Sequence, residues 1–448
     1  MTFVTRRPPQ AERRFTSHAV EKTIERLQSQ IRDGELAWLF ANCFPNTLDT
    51  TVTLGKNARG RDDTFVITGD IDAMWLRDSA AQVWPYLPLL REDSSLRQLV
   101  AGVINRQVAC ILLDPYANAF LPSAHPPSKW QTDQTEMRRG VYERKYELDS
   151  LCSVLRLSVG YYRGCGDSSC FDAEWQRAVE AILGTIRTEQ CGSEEAATSP
   201  YRFARKALRA TDTQPLADGQ CYPYRRCGLS RSPFRPSDDA CQFAFPIAAN
   251  AMAVVCLRDL ATMWSELGFV PATGSEAADL AAEIDAGIRR CGVQHHPVHG
   301  DIYAYEVDGL GSRVFMDDAN VPSLLSLPYL GYCGRTDPLY QRTRRYILSG
   351  DNPFYSQGRA GRGVGGPHVG VGWIWPMSIV LRALTSTDDH EIADCLQLLK
   401  SSHAGTGFMH EAFWKDDAAQ FTRAWFAWAN ALFGELILTL SRERPHLL

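Results

Sequence analysis

Apolar residues recur along this chain at helical spacing, segment after segment, and that repeat limits the fold more than any other feature. Leu96, Leu99, Val100, Val103, Ile104, Val108, Ile111 and Leu112 fall on one face at a 3.6-residue period. Leu148, Leu151, Cys152, Leu155, Val159 and Tyr162 repeat the pattern, and similar stripes lie near 20–32, 172–187, 240–265, 276–290, 373–384, 389–401 and 423–440. Strand-type runs are few and short: TVTL at 51–54, TFVI at 64–67 and DIYAYEV at 301–307. Helices of this kind must bury their stripes against one another, and no linker divides the chain cleanly. The expectation is an all-α chain folded as a single domain over 1–448, with helical hairpins around a common axis. Residues 1–15 read as a flexible N-terminal extension. The long polar loops at 187–238 and 350–372 read as either functional or disordered.

Composition removes several classes of partner. A net charge of −5 provides no broad basic field for nucleic acid or an anionic membrane surface. No run reaches the roughly 18 apolar residues of a membrane span. The basic start MTFVTRRPPQAERRFTS lacks the apolar segment of a secretory signal. Thirteen cysteines is an odd number, and the spacings Cys165 to Cys170 and Cys221 to Cys227 match no zinc pattern. A reduced, cytoplasmic protein is expected, with its oligomeric state unread. Eleven tryptophans supply many flat amphipathic surfaces of the kind that stack on sugar rings.

Three stretches look chemical. In DIDAMWLRDS (70–79), Asp78 or Ser79 could cap a helix starting near Ala80. Capping accounts for one or two of the charges and leaves an Arg77–Asp78 pair beside Trp75, with Asp72 close by. A planar guanidinium fork and a carboxylate together can grip adjacent hydroxyls while an indole stacks on the ring. In SPFRPSDDACQF (232–243), Ser237 or Asp238 could cap the apolar segment that follows. One cap leaves a carboxylate of Asp238 or Asp239 spare. Arg235 nearby would keep it ionised, whereas burial and a like charge would keep it protonated, as a general acid requires. In HAGTGFMHEAFW (403–414), His410 and Glu411 sit among Phe408, Met409, Phe413 and Trp414, where an unused carboxylate is costly. The second histidine of a zinc-peptidase motif is missing.

Other stretches carry weaker signals. MDDAN (316–320) could cap a helix or line a pocket through Asp318. ERKYELDS (143–150), with Glu147 and Asp149, reads as a solvated helix start. GRAGRGVGGPHVGVGWIWP (358–376) lacks the ending of a phosphate loop and reads as a mobile cover over a pocket, anchored by Trp373 and Trp375. His295, His296 and His299 have no helical spacing and read as surface residues, so no metal site is expected.

Together these stretches resemble glycoside hydrolase family 125, the exo-α-1,6-mannosidases. The matching segments are LFANCFPNTLDTTV, TGDIDAMWLRDSAAQVWPYLPLL, ERKYELDSLC, FRPSDDACQFAFPIAAN, MDDANVPSLLSLPYLGY, GTGFMHEAFW and FTRAWFAWANALFGELI, from about residue 38 to 438. The resemblance implies an (α/α)6 barrel with a few short β-hairpins at its active-site face and an inverting, single-displacement mechanism without cofactor or metal. It implies a general acid at Asp238, or alternatively Asp239, and a general base at Glu411. Asp72, Trp75, Arg77, Asp78, Arg235, Asp239, Asp318 and His410 would bind a mannose-containing glycan. Many relatives carry Ser where this chain has Ala412. The competing readings are a related helical-barrel glycosidase or phosphorylase of other specificity, and a glycan-binding protein without turnover.

Overall fold

The computed structural model describes residues 3–123, 127–216 and 218–448. Fourteen α-helices are present among them: α1 (His18–Gln30), α2 (Gly34–Cys43), α3 (Asn46–Thr50), α4 (Leu76–Val83), α5 (Ser94–Leu113), α6 (Leu148–Cys165) and α7 (Ala173–Thr188) in the first half. The second half supplies α8 (Ile247–Glu266), α9 (Pro271–Gly287), α10 (Leu327–Leu330), α11 (Pro338–Ile347), α12 (Pro376–Leu384), α13 (Asp389–Ser402) and α14 (Ala427–Glu443). The even-numbered helices from α4 onward form an inner ring. Helix α4 packs on α6, α6 on α8, α8 on α10 and α12 on α14, and α14 returns to α4. Helices α5, α7 and α9 pack outside them. This is the (α/α)6 barrel, with one large apolar core from Val20 to Leu448 and a small satellite cluster of Ala73, Trp75, Ala119 and Tyr142.

Inner and outer helices begin differently. The outer helices α1, α5, α7, α11 and α13 start on Ser17, Asp93, Asp172, Asp337 and Asp388, whose side chains accept from first-turn amides, and the outer helix α9 is the exception, starting at Pro271 without such a cap. None of the inner helices α4, α6, α8, α10, α12 and α14 has a side-chain cap. Several instead follow short strands. Met74–Trp75, Ala119–Phe120 and Val141–Glu143 form one small sheet, and Trp373–Ile374, Phe413–Trp414 and Asp417–Phe421 form another. The inner-helix N-termini therefore keep their positive dipole ends available to one mouth of the barrel.

Three expectations are corrected. The N-terminal segment is held from residue 3 onward: Phe3 stacks on Trp38, Trp38 Nε1 donates to the Val4 carbonyl at 2.7 Å, and Arg7 pairs with Glu21 at 2.5 Å and Asp49 at 2.7 Å. Helix α4 starts at Leu76, so Asp78 and Ser79 lie inside its first turns and cap nothing. Helix α8 starts at Ile247, well beyond Ser237 and Asp238, which removes capping there as well. Helices α5 and α8 have the length and mean hydropathy of a membrane span, but their apolar windows are 67% and 72% buried in the core. The glycines of 358–376 serve close packing. A Cβ on Gly365 would lie 2.1 Å from the Trp373 carbonyl oxygen, and one on Gly366 would lie 2.9 Å from the Asp318 carboxylate.

Candidate active site

At the mouth formed by the inner-helix N-termini lies a pocket of about 180 Å³ whose wall includes Trp75, Arg77, Asp78, Asp238 and Glu411. Arg77 is its hub. Its Nη1 donates to Glu147 at 2.5 Å and to Asp149 at 3.4 Å. Its Nη2 donates to Asp238 Oδ1 at 3.2 Å and lies 3.5 Å from Asp78. The Trp428 ring covers the guanidinium, with its centroid 5.4 Å away. One cation thus faces four carboxylates, nearly all of it out of water.

Asp238 is fixed from several sides. Trp75 Nε1 and Asn118 Nδ2 each donate to its Oδ1 at 3.2 Å, and Lys145 Nζ donates to its carbonyl oxygen at 2.8 Å. Its φ of 65° is left-handed, a conformation that costs a non-glycine residue energy and that surrounding structure must enforce. Glu411 lies on the segment leading into Phe413–Trp414. Thr422 Oγ1 donates to its Oε2 at 2.8 Å, and Arg423 Nη1 lies 3.5 Å from its Oε1.

The crowding of charge displaces several pKa values. Burial raises the Asp238 carboxyl, but Arg77, the hydrogen bond with Glu147, Lys145 and His368 outweigh it and hold it below the ordinary range. Burial pushes Glu147 well above its ordinary value, and the neighbouring Asp238 and Asp149 add to the effect against Arg77. Burial likewise lifts Asp149 to about 7 and raises Asp78. His368 reaches the same pocket from the glycine-rich stretch. Burial lowers its pKa, but Asp239, Glu411 and Asp238 more than reverse this and bring it to about 9.

Of the residues expected at the site, Trp75, Arg77, Asp78, Asp238 and Glu411 share the pocket wall. The other five lie off it. Asp72 is exposed. Arg235 is buried and donates to Glu306 at 2.7 Å, so Arg77 rather than Arg235 is the cation beside Asp238. Asp239 and Asp318 sit behind the wall, both accepting from Ser237 Oγ, at 3.2 and 3.3 Å. His410 is buried, stacks on Phe421 at 4.1 Å and uses Nδ1 to reach the carbonyls of Arg423 and Ala424 at 3.1 and 3.0 Å.

The ERKYELDS segment requires the largest correction. Its Glu147 and Asp149 are 1% and 0% exposed, so they are partners of Arg77 and no solvated helix start. Sequence reasoning also passed over Asn118, Lys145, His368 and Arg423, and the Lys129–Trp130–Arg205 group at the rim. Only the density of alternating charge in ERKYELDS, and the presence of His368 in a loop already expected near a pocket, could have pointed to any of them. Among the described residues, no three His, Cys, Asp or Glu side chains are grouped to hold a metal ion. His295 and His299 pair with Asp301 and Asp351 at 3.0 and 2.7 Å.

A match to the family described as metal-independent α-mannosidase, glycoside hydrolase family 125, spans residues 33–438. The chain belongs to this family. It is 46% identical over 456 residues to the "Meiotically up-regulated gene 157 protein" of Schizosaccharomyces pombe, covering 99% of this chain and 89% of that one. A solved family structure from Streptococcus pneumoniae, described as a non-productive substrate complex with α-1,6-mannobiose, is similar with a TM-score of 0.91 and 39% identity, over 96% of this chain and 100% of that one. A bacterial glucoamylase bound to acarbose shares the fold at a TM-score of 0.53 and 13% identity, over 89% of this chain and 54% of that one. The chain is thus a glycoside hydrolase of the family 125 α-mannosidases.

Proposed function

We propose that the protein is an inverting, exo-acting α-1,6-mannosidase that releases terminal mannose from glycans, with Asp238 as general acid and Glu411 as general base. The observation that carries this reading is the presence of both carboxylates on the wall of one small pocket, beside the Arg77–Asp78 pair. In a single displacement, Asp238 protonates the glycosidic oxygen as the bond to the anomeric carbon breaks. Glu411 takes a proton from a water that attacks the opposite face, and the transition state resembles an oxocarbenium ion. Such a pair of carboxyl groups stands roughly 6.5–9.5 Å apart, leaving room for the water. Arg77 and Asp78 would hold the sugar hydroxyls, and Trp75 would lie against the ring. The α-1,6-mannobiose held by the Streptococcus pneumoniae relative supports the linkage. One large core supports one catalytic domain. Thirteen free thiols support a reducing, cytoplasmic setting.

The test is incubation with α-1,6-, α-1,2- and α-1,3-linked mannobiose, followed by proton NMR of the fresh product. The expected result is turnover of the α-1,6 isomer with little action on the others, and β-mannose appearing first. An initial α-anomer, or faster release from an α-glucoside, would overturn the reading.

A further inference from the structure

A general acid must carry a proton when the glycosidic oxygen reaches it, yet Asp238 stands in a nest that favours its anion. Arg77, Trp75 and Asn118 all donate to Oδ1. The geometry around Glu147 offers a resolution. Its Oε1 accepts from the same Asn118 Nδ2 that donates to Asp238, each at 3.2 Å. Its Oε2 shares the Arg77 guanidinium with Asp238 and also accepts from Ser150 Oγ at 2.8 Å. The two carboxyls thus hang on the same two donors, Asn118 and Arg77, which sets them side by side. Two carboxyl groups sharing a site favour the state in which one of them holds a proton.

We propose that Glu147 and Asp238 form a one-proton carboxyl pair, in which Glu147 is a positioning residue that keeps the proton until substrate reaches Asp238. This rests on the reading of Asp238 as the acid and deepens it. The groups facing the pair are Arg77 from α4, Asp149 from α6, Lys145 and Glu143 from the segment before α6, Asn118 from the loop after α5, Asp78, Tyr201 and His368. Against Arg77, Lys145 and His368, full ionisation of Asp78, Glu147, Asp149 and Asp238 would leave surplus buried negative charge. One neutral carboxyl relieves it, and Glu147, whose side chain is 0% exposed against 24% for Asp238, is the holder before substrate arrives.

The cycle balances. A glycosidic oxygen placed against Asp238 adds an acceptor there, and the proton of the pair relocates from Glu147 to Asp238. Donation to the leaving oxygen, which takes the bonding electrons, leaves both carboxyls anionic. The attacking water gives its proton to Glu411. Loss of that proton to solvent and return of one from solvent to the pair restore the enzyme. Asp238, whose side chain is 24% exposed, is the entry point for the returning proton.

Two measurements test this. In the Glu411→Gln variant, α-1,6-mannobiose can bind without being hydrolysed. Calorimetric titration near pH 7, in two buffers of different ionisation heat, should then show no net proton uptake, because the pair already owns the proton. Uptake of about one proton on binding would mean that Asp238 draws its proton from solvent, and would overturn the pair.

The second measurement uses Glu147→Gln, whose amide oxygen can still accept from Arg77 and Ser150 but whose NH2 replaces the acceptor of Asn118, and which cannot hold the proton. Turnover of mannobiose should fall about tenfold or more, and the basic limb of the pH profile should move down by about one unit. A mannoside with a nitrophenolate leaving group should lose about threefold or less, since it scarcely needs an acid. Equal losses on both substrates with an unmoved limb would assign Glu147 to holding Arg77 alone and overturn the proposal. If Glu147→Gln does not fold, the calorimetric result decides by itself. Failure of wild-type protein to cleave any mannobiose would instead sink the assignment of function, and the pair with it.

Discussion

At the pocket end of the barrel Arg77 faces four carboxylates within 3.5 Å, whereas Arg156, at the middle of α6, makes no ion pair among the described residues. Arg156 lines a second cavity of about 640 Å³, with Trp84, Tyr329 and Glu435, at the C-terminal halves of the inner helices. Its guanidinium lies 3.7 Å from the Trp84 ring centroid and 5.0 Å from that of Tyr329. Glu435 accepts from Trp84 Nε1 at 3.0 Å and from the Tyr329 hydroxyl at 2.8 Å. Arg156 and Glu435 thus each have a neutral aromatic neighbour, and Arg163 on the same cavity pairs with Asp259 at 2.7 Å. In the smaller pocket, by contrast, Asp78 Oδ2 and Asp149 Oδ1 are buried without accepting a hydrogen bond, and Asp238 has left-handed backbone. Burial raises the Glu435 carboxyl in the larger cavity as well, but only the smaller pocket sets four carboxylates around one cation and adds a left-handed backbone at Asp238. Reactive sites are recognised by that concentration rather than by volume.

Substitutions at the two ends should separate them. The largest effect is expected for Glu411→Gln, which removes the base: turnover of α-1,6-mannobiose should fall about 10²- to 10⁴-fold, as read by mannose release, with little change in melting temperature. Glu435→Gln at the other end should leave turnover within about twofold. A comparable loss from Glu435→Gln would erase the distinction between the cavities.

Arg77→Ala comes next. Loss of a charged, dry set of hydrogen bonds costs about 2–5 kcal/mol, or on the order of 30- to several-thousand-fold in kcat/KM. Asp78→Ala should behave similarly in folded protein, and near-normal turnover would remove it from the sugar clamp. Arg156→Ala sharpens the contrast, because its effect should fall on stability. Loss of its aromatic stacking and packing should cost about 1–3 kcal/mol in chemical denaturation while kcat stays within about twofold.

The smallest effect concerns pH. The folded-state pKa of His368, about 9, is above its ordinary value of 6.5. Its cation therefore stabilises the fold fully below about pH 6.5, and that contribution is lost as pH rises through about 9. The melting temperature of His368→Gln should lie below wild type at pH 6, and the gap should close by about pH 10. A gap that widened toward pH 10 would assign another role to the His368–Asp239 pair.

Much of this was legible along the chain because periodicity is a local property. The stripes at 96–112 and 148–162 became α5 and α6, and the short runs at 51–54 and 64–67 became paired strands. Helices α2 and α11 escaped notice because their flanking glycines, prolines and charges blur the stripe, and α4 begins a turn earlier than the capping pattern suggests, at Leu76 rather than near Ala80. Trp75, Arg77, Asp78, Asp238 and Glu411 stood out as charges and rings in unusual company. The status of Glu147 and Asp149 did not, since a helix start with acidic residues looks the same whether solvated or sealed.

The sequence by itself thus determined a ring of helices and the identity of the five side chains on the pocket wall. Only the tertiary structure decided which carboxylates crowd Arg77. It drew Glu147, Asn118 and Asp238 together across long stretches of chain, turned Arg235 away onto Glu306 and withdrew Asp239, Asp318 and His410 behind the wall. The physical reason is range. Helical spacing is set by backbone geometry over a few residues, whereas the protonation state of a buried carboxyl depends on every charge within several ångströms, whichever part of the chain supplies it.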